Sequence, residues 1–227
     1  MPYLQIRNSE HMRELAMRYL PPNPIVVEAG AYDGSESQIM ACIWPNGHIH
    51  SFEPIEKLYE NVVENTKGIP NITTYKLALG EESGKRSIYL ALFPDDPSKI
   101  CMSSSLYPPK DHLLYYGPIF NGVETIDMIT LDAWAEENKI ERVDLLWFDL
   151  QGYELSAFKG ASKILSKVSV IMTELEFSEL YTGQPLYREV KAWLENQGFV
   201  LIGGDFGFPK DPNQHFGDGL FVRRELL

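Results

Sequence analysis

Apolar positions recur along the chain with two periods, and the change of period marks its elements. Between residues 8 and 20, Met12, Leu15, Ala16 and Tyr19 fall at helical spacing behind Asn8 or Ser9 as N-cap, and Pro21, Pro22 and Pro24 close the element. Ile25 to Ala29 is a short apolar run stopped by glycine, which reads as a strand, and Ser35 to Ile43 is helix-compatible. The alternation continues with His48 to Phe52 as strand, Glu56 to Thr66 as helix and Ile72 to Leu79 as strand. It returns later with Val143 to Leu150 as strand, Tyr153 to Ser166 as helix, Val168 to Leu175 as strand and Leu186 to Gln197 as amphipathic helix. Such repetition predicts an α/β fold, a mostly parallel sheet with helices on both faces.

Two stretches depart from it. Within residues 81 to 130, Arg86 to Phe93 and Gly122 to Ile129 read as strands around Pro94 to Phe120, a segment rich in Pro, Ser and Tyr with little periodicity. A loop of that length inside a compact domain points to function. At the end, Phe199 to Gly203 and Gly219 to Val222 are strands joined by a Gly, Pro and Asp-rich loop with no helix between them, so they are expected to pair antiparallel. The whole chain, 1–227, reads as one domain, with 1–24 as a helical, proline-rich lead-in and 81–130 as an insertion.

With 44% hydrophobic residues a core of domain size is within reach, and the chemistry is narrowed by charge. Against 20 Lys and Arg stand 32 Asp and Glu, a net charge of −12, and no basic patch is visible. Nucleic acid would bind against that field and is disfavoured. Cys42 and Cys101 form no metal-spaced pair, the N-terminal segment lacks the apolar centre of a signal peptide, and no run approaches a membrane span. The expectation is a soluble, cytoplasmic protein.

Candidate chemistry gathers at strand ends. In open α/β sheets ligands bind beyond the carboxyl ends of the strands, where a glycine turn admits them, and Gly30 and Gly34 occupy that place in V-V-E-A-G-A-Y-D-G. The G-x-x-x-G spacing lacks the middle glycine of the dinucleotide fingerprint, which weakens a nicotinamide-dependent oxidoreductase as the alternative. Glu28 ends an apolar strand, where a carboxylate is costly unless solvated or paired with a cationic ligand group. Glu53 ends the next strand, where it can accept ribose hydroxyls, and Ala78, Leu79 and Gly80 can line a base.

Asp149 and Gln151 stand at the carboxyl end of the fourth main strand, and Glu174, with Glu176 just beyond, at the end of its neighbour. Asp149 is the first candidate for a general base, with Glu174 beside it; two such carboxylates could bind acceptor hydroxyls or a divalent cation, although no spacing demands a metal. In the insertion, Ser103 to Tyr107 offers the hydroxyls of Ser104 and Ser105 and the ring of Tyr107 to an acceptor, and His112 remains open as a base. His11, His48 and His50 read as packed or solvated, and Trp134 and Trp193 as core.

Taken in order, V-V-E-A-G-A-Y-D-G, S-F-E-P, I-T-L-D-A-W, V-D-L-L-W-F-D-L-Q-G-Y-E-L-S-A-F-K-G-A, M-T-E-L-E-F and D-G-L-F-V resemble the FkbM family of S-adenosylmethionine-dependent methyltransferases over roughly Val26 to Val222. The resemblance implies a class I methyltransferase fold, Rossmann-like, with a seven-stranded sheet ending in an antiparallel hairpin. It also implies O-methyl transfer to a sugar, glycolipid or other small-molecule acceptor. Carried residue by residue, it assigns the cofactor to Glu28, Gly30, Asp33, Gly34 and Glu53, with Asp149 and Gln151 where cofactor and acceptor meet and Glu174 beyond. Trp147 departs from the lysine common in the family two residues before the aspartate. Because no base is unambiguous, a methyltransferase-like domain that binds without turnover is a further alternative.

Overall fold

A computed structural model describes residues 3–112, 117–206 and 214–227; residues 113–116 and 207–213, inside the two long loops noted above, lie outside that description. The chain opens with β1 (Leu4–Gln5) and α1 (Ser9–Ala16), whose N-cap Asn8 accepts a hydrogen bond from the His11 amide at 3.0 Å. One 3-10 turn, Met17–Tyr19, leads into the prolines. Next come β2 (Ile25–Ala29), α2 (Ser35–Ile43), β3 (His48–Phe52), α3 (Glu56–Asn65) and β4 (Ile72–Tyr75). The second half holds α4 (Leu131–Glu137), β8 (Leu145–Phe148), α5 (Glu154–Lys159), β9 (Val170–Glu176), α6 (Tyr187–Asn196), β10 (Phe199–Gly204) and β11 (Phe216–Arg223).

The main sheet has the order β1-β10-β11-β9-β8-β2-β3-β4, and β11 runs antiparallel to both of its neighbours. Seven of these strands are the expected ones. The eighth, β1, is two residues long and has no periodicity to read; it adds in parallel to the edge of β10, where Gly203 and Gly204 leave room for it. Alternation along the strands sends Val26, Ile49, Leu145, Met172 and Leu220 to one face, against Met12 and Leu15 of α1 and Met40 of α2. Val27, Phe52, Phe148, Ile171 and Phe221 go to the other, against Trp134 of α4, Phe158 of α5 and Leu194 of α6.

The stretch read as one strand, Ile72 to Leu79, divides. After β4 the chain leaves the main sheet, and β5 (Ala78–Leu79) pairs in parallel with Met128 and Ile129 of β7 (Ile119–Ile129), itself antiparallel to β6 (Gly84–Leu92). This second sheet, order β5-β7-β6, packs Ala78, Ile88, Ile126 and Met128 on Ile55 and Leu58 at the start of α3. It stands over the carboxyl ends of β2 and β3 and forms one side of the site.

Candidate active site

A cavity of about 310 Å³ opens at the carboxyl ends of β2, β3 and β8, with Cys101, Met102, Ser104 and Leu106 of the insertion along one wall. Of the cofactor candidates, Glu28, Gly30, Asp33, Glu53, Ala78, Asp149 and Gln151 line it. Gly34 does not; it backs onto Val62 and Thr66 at the end of α3. The size and the mixed lining suit a nucleoside-bearing ligand.

The turn after β2 shapes this space. Gly30 has φ +90°, its amide donates to the Phe52 carbonyl at 3.0 Å, and a Cβ there would fall on the Asp149 carbonyl oxygen, far inside van der Waals contact. The glycine therefore lets β2 and β8 end side by side, and the Asp149 amide donates to the Ala29 carbonyl at 3.0 Å. Asp33 turns the chain into α2: its Oδ1 accepts from the Ser35 amide at 3.0 Å, and its carbonyl accepts from Asn65 Nδ2 at 2.8 Å.

Glu53 is held from both sides. Its Oε2 accepts from the Tyr32 amide and its Oε1 from the Ile55 amide, each at 3.0 Å, which leaves a lone pair on each oxygen for ligand hydroxyls. Burial nonetheless pushes its pKa up to about 7, against those two backbone hydrogen bonds. Glu28 is buried beside it on the β2 end, accepting from the Ser37 hydroxyl, which lies 2.8 Å from that of Ser51. Burial also raises Glu28 to about 7, with both serines opposing. A cationic ligand group beside Glu28, and hydroxyls donated to Glu53, would each favour the ionised carboxylate.

Asp149, Leu150, Gln151 and Gly152 form a tight turn between β8 and α5 in which Gln151 takes φ +52°. Gln151 Nε2 donates to Asp149 Oδ1 at 2.8 Å and to Glu174 Oε2 at 3.0 Å, and its Oε1 accepts from the Tyr181 hydroxyl at 2.9 Å. Glu174 is thus tied to Asp149 through Gln151 and stands behind the cavity wall. Asp149 is open to the cavity, yet protein surrounds the opening, and that desolvation raises its pKa while the Gln151 hydrogen bond lowers it.

Behind the turn lies an acidic group that the chain's local pattern leaves mostly unassembled. Glu154, at the start of α5, accepts from the Leu150 amide at 2.7 Å and is raised by burial to about 8. Burial lifts Glu176 to about 9 and Asp218 to about 7, and Glu174 stands well above the usual carboxylate range, each also raised by the charge of Asp149. Among the described residues no lysine or arginine pairs with any of them. Nor could any group of three or more His, Cys, Asp or Glu side chains there hold a metal ion.

The pH dependence of stability follows from these shifts. The folded chain keeps protons that the unfolded chain releases above about 4.5, so the contribution is full below that pH and is lost as pH rises through the folded values of about 7 to 9. At about 1.4 kcal/mol per pH unit, each group is worth at most on the order of 3–6 kcal/mol, of which about 1–4 kcal/mol is lost between pH 6 and pH 9. Melts of ligand-free protein at fixed ionic strength should show a Tm at least about 10 °C lower at pH 9 than at pH 6. A flat or rising Tm would remove the acidic group as a source of strain.

The insertion reaches this turn. Ser104 lines the cavity and its Oγ accepts from the Ala91 amide at 3.0 Å, whereas Ser105 is buried and donates to the Gln151 carbonyl at 2.8 Å. Tyr107 packs on Tyr153 at 5.1 Å between ring centroids, and His112 on Tyr181 at 5.2 Å; neither lines the cavity. Trp147 does, and the Arg13 guanidinium of α1 stands 5.5 Å from its ring centroid while pairing with Glu36 of the cavity wall at 2.5 Å. A cation is therefore present behind Trp147, supplied by the leading helix. Sequence reasoning missed Glu36, Arg13 and Tyr181; only for Glu36, one turn into the helix after the glycine turn, was there a positional signal.

Comparison with known proteins gives three findings. The family model described as methyltransferase FkbM domain matches residues 28–201. The chain is 28% identical over 179 residues to the 2-O-methyltransferase NoeI of Sinorhizobium fredii, spanning 78% of this chain and 74% of that protein; it is 20% identical to the hexuronic acid methyltransferase AglP of Haloferax volcanii, spanning 86% and 77%. Among solved structures, an rRNA methylase from Streptococcus thermophilus superposes with a TM-score of 0.53 at 13% identity, covering 97% of this chain and 99% of that one, a likeness of fold.

Proposed function

This chain belongs to the FkbM methyltransferase family, and from that premise we propose that it transfers a methyl group from S-adenosylmethionine to a hydroxyl of a small-molecule or glycan acceptor, a sugar in the first instance. One observation carries the reading: Glu28 and Gly30, Glu53, and Asp149, from the ends of three adjacent strands, converge on one cavity. Bound S-adenosylmethionine supplies a methyl group already activated on a sulfonium. The chain has then to hold the nucleoside, align the hydroxyl and take its proton. Glu53 would accept the ribose hydroxyls on its two free lone pairs, Glu28 would hold the ammonium end, and Ala78 and Leu79 would cover the base. Asp149 receives the acceptor proton.

Calorimetry with S-adenosylmethionine and S-adenosylhomocysteine tests the donor. Both should bind, and Glu53→Gln should weaken both about 10- to 100-fold, the loss of one or two hydrogen bonds to a charged acceptor. Folded wild-type protein giving no heat with either nucleoside would end this reading.

For the acceptor, the relatives carry names that point to a 2-O-methylated product and to a hexuronic acid. Asp149, which must be ionised to take the acceptor proton, favours a neutral polyol over a uronate, whose carboxylate would bring a second negative charge into the site. Among methyl glycosides of neutral hexoses and hexuronic acids, the neutral ones should be methylated at least about tenfold faster, equivalent to about 1.4 kcal/mol; the reverse order would place the acceptor carboxylate elsewhere. The net charge of −12 speaks against a nucleic acid acceptor. No helix among the described residues is long and apolar enough to cross a membrane, and the free thiols of Cys42 and Cys101 fit the cytoplasmic setting we assign.

A further inference from the structure

The Tyr181 hydroxyl lies 2.9 Å from Gln151 Oε1 and 2.8 Å from the Ser103 carbonyl oxygen, and it has one hydrogen for two acceptors. Tyr181 is fully buried, and its neighbours bind the insertion through the backbone: the Thr182 amide donates to the Pro108 carbonyl at 2.7 Å and the Lys110 amide to the Leu180 carbonyl at 2.9 Å. The Gln151 amide therefore sits between the cavity carboxylate and the segment that walls the cavity.

We propose that Tyr181 is a positioning residue for methyl transfer, its hydroxyl holding the Gln151 amide in the orientation that donates to ionised Asp149. The inference rests on Asp149 being the group that takes the acceptor proton. With Asp149 ionised, both Gln151 N–H groups face carboxyl oxygens, and its Oε1 needs the Tyr181 hydrogen. Once Asp149 holds the proton removed from the acceptor hydroxyl, while the new O–CH₃ bond has formed and the sulfur has kept the electron pair of the broken C–S bond, Asp149 is a donor. The amide can then turn over, with Oε1 accepting from Asp149, Nε2 donating to the Tyr181 oxygen, and the Tyr181 hydrogen passing to the Ser103 carbonyl. Proton uptake at Asp149 is thereby read at the cavity wall. Glu174 serves in both arrangements, because burial raises its proton affinity well above that of a free carboxyl and a carboxylic acid can donate or accept. The remaining groups facing Asp149, namely Glu154 of α5, Glu176 of β9 and Asp218 of β11, are the same in both arrangements, and it is burial and then the charge of Asp149 that raise their proton affinities.

The test is Tyr181→Phe, which keeps the ring packed on His112 and removes only the hydroxyl. With the hydroxyl gone, the ionised arrangement leaves Gln151 Oε1 and the Ser103 carbonyl oxygen facing one another with no hydrogen between them, whereas the protonated arrangement turns an Nε2 hydrogen toward that carbonyl, so Asp149 should titrate higher. The acidic limb of the pH–rate profile, measured with the neutral methyl hexoside turned over fastest, should move up by about one pH unit, a tenfold change in proton affinity. The same shift should appear without acceptor in the ¹³C-carboxyl titration of Asp149 in the S-adenosylhomocysteine complex, with the resonance assigned by its loss in Asp149→Asn. Nucleoside affinity should stay within about twofold, which a merely structural role would not predict. Introducing 3-fluorotyrosine at position 181, a stronger donor, should move the limb the other way even if Tyr181→Phe fails to fold. A limb displaced by less than about 0.2 units in both variants overturns the proposal, as does a parallel loss of nucleoside affinity and Tm. If Asp149→Asn keeps the wild-type rate and limb, it is the assignment of Asp149 that fails; if Asp149→Asn is inactive and the Tyr181 variants leave the limb in place, only the role of Tyr181 fails.

Discussion

Gly30→Ala should lower the Tm of the ligand-free protein by about 10 °C or more and abolish measurable binding of S-adenosylhomocysteine. Two costs act together. Alanine at φ +90° is strained by about 1–3 kcal/mol, and its Cβ must push away the Asp149 carbonyl, which belongs to the adjacent strand end. The Asp149 amide is hydrogen-bonded to the Ala29 carbonyl, so the two strand ends cannot separate without losing that bond as well. At about 2–4 °C per kcal/mol for a chain of this size, a total of about 3–5 kcal/mol gives the stated shift. Binding fails because Glu28 and Asp149, on either side of the turn, move apart. Gly34→Ala is the control: it has a similar φ of +81°, but its Cβ meets nothing nearer than the Thr66 methyl, at 3.1 Å, a group that can yield. It should cost less than half as much in Tm and spare binding. A Gly30→Ala protein melting within about 2 °C of wild type would mean that the turn relaxes at no cost and is not what shapes the cavity.

Asp149→Asn should reduce kcat for methyl transfer by about 10²- to 10⁴-fold, the range associated with a positioned general base, while nucleoside affinity changes by less than about threefold. The substitution is nearly isosteric, and the amide oxygen it introduces can still accept from Gln151 Nε2, so the turn is retained. What the new side chain cannot do is accept a proton at the pH of the reaction. The acidic limb of the pH–rate profile, where protonation of Asp149 stops the wild-type enzyme, should vanish. Single-turnover rates with the preferred methyl hexoside, beside calorimetry with S-adenosylhomocysteine, separate the two effects. A rate within about threefold of wild type would show that the proton leaves by water and that Asp149 serves only to align the hydroxyl.

The strand–helix alternation was readable because the central strands are buried on both faces and each helix on one, so burial imposes its period directly on the residues. Ile25–Ala29, Ser35–Ile43 and His48–Phe52 have the bounds their apolar patterns imply. The end of Ile72 to Leu79 was not readable. Leu77, Ala78 and Leu79 continue an apolar run, and the transfer of β5 to the second sheet depends on its partners Met128 and Ile129, far along the chain. β1 was invisible for a related reason: its two residues pair with a sheet edge that forms at the other end of the chain, and neither is buried.

The site divides in the same way. Glu28, Gly30, Glu53 and Asp149 could be named from the chain because each lies at or just past a strand end, and in a parallel sheet every carboxyl end faces the same crevice. Ser105, Tyr107 and His112 were offered to the acceptor on residue type alone, yet they pack against Gln151, Tyr153 and Tyr181 and hold the insertion in place. Periods and local backbone geometry were enough to specify the main sheet, its glycine turn and the carboxylates at the strand ends, since each of these is written in residues close together in the chain. What surrounds them came from packing: Arg13 behind Trp147, Tyr181 on Gln151, and the acids of β9, β11 and α5 crowded behind Asp149. Such contacts join residues far apart in the chain, and the proton affinities they set are properties of the packed neighbourhood, which no local pattern records.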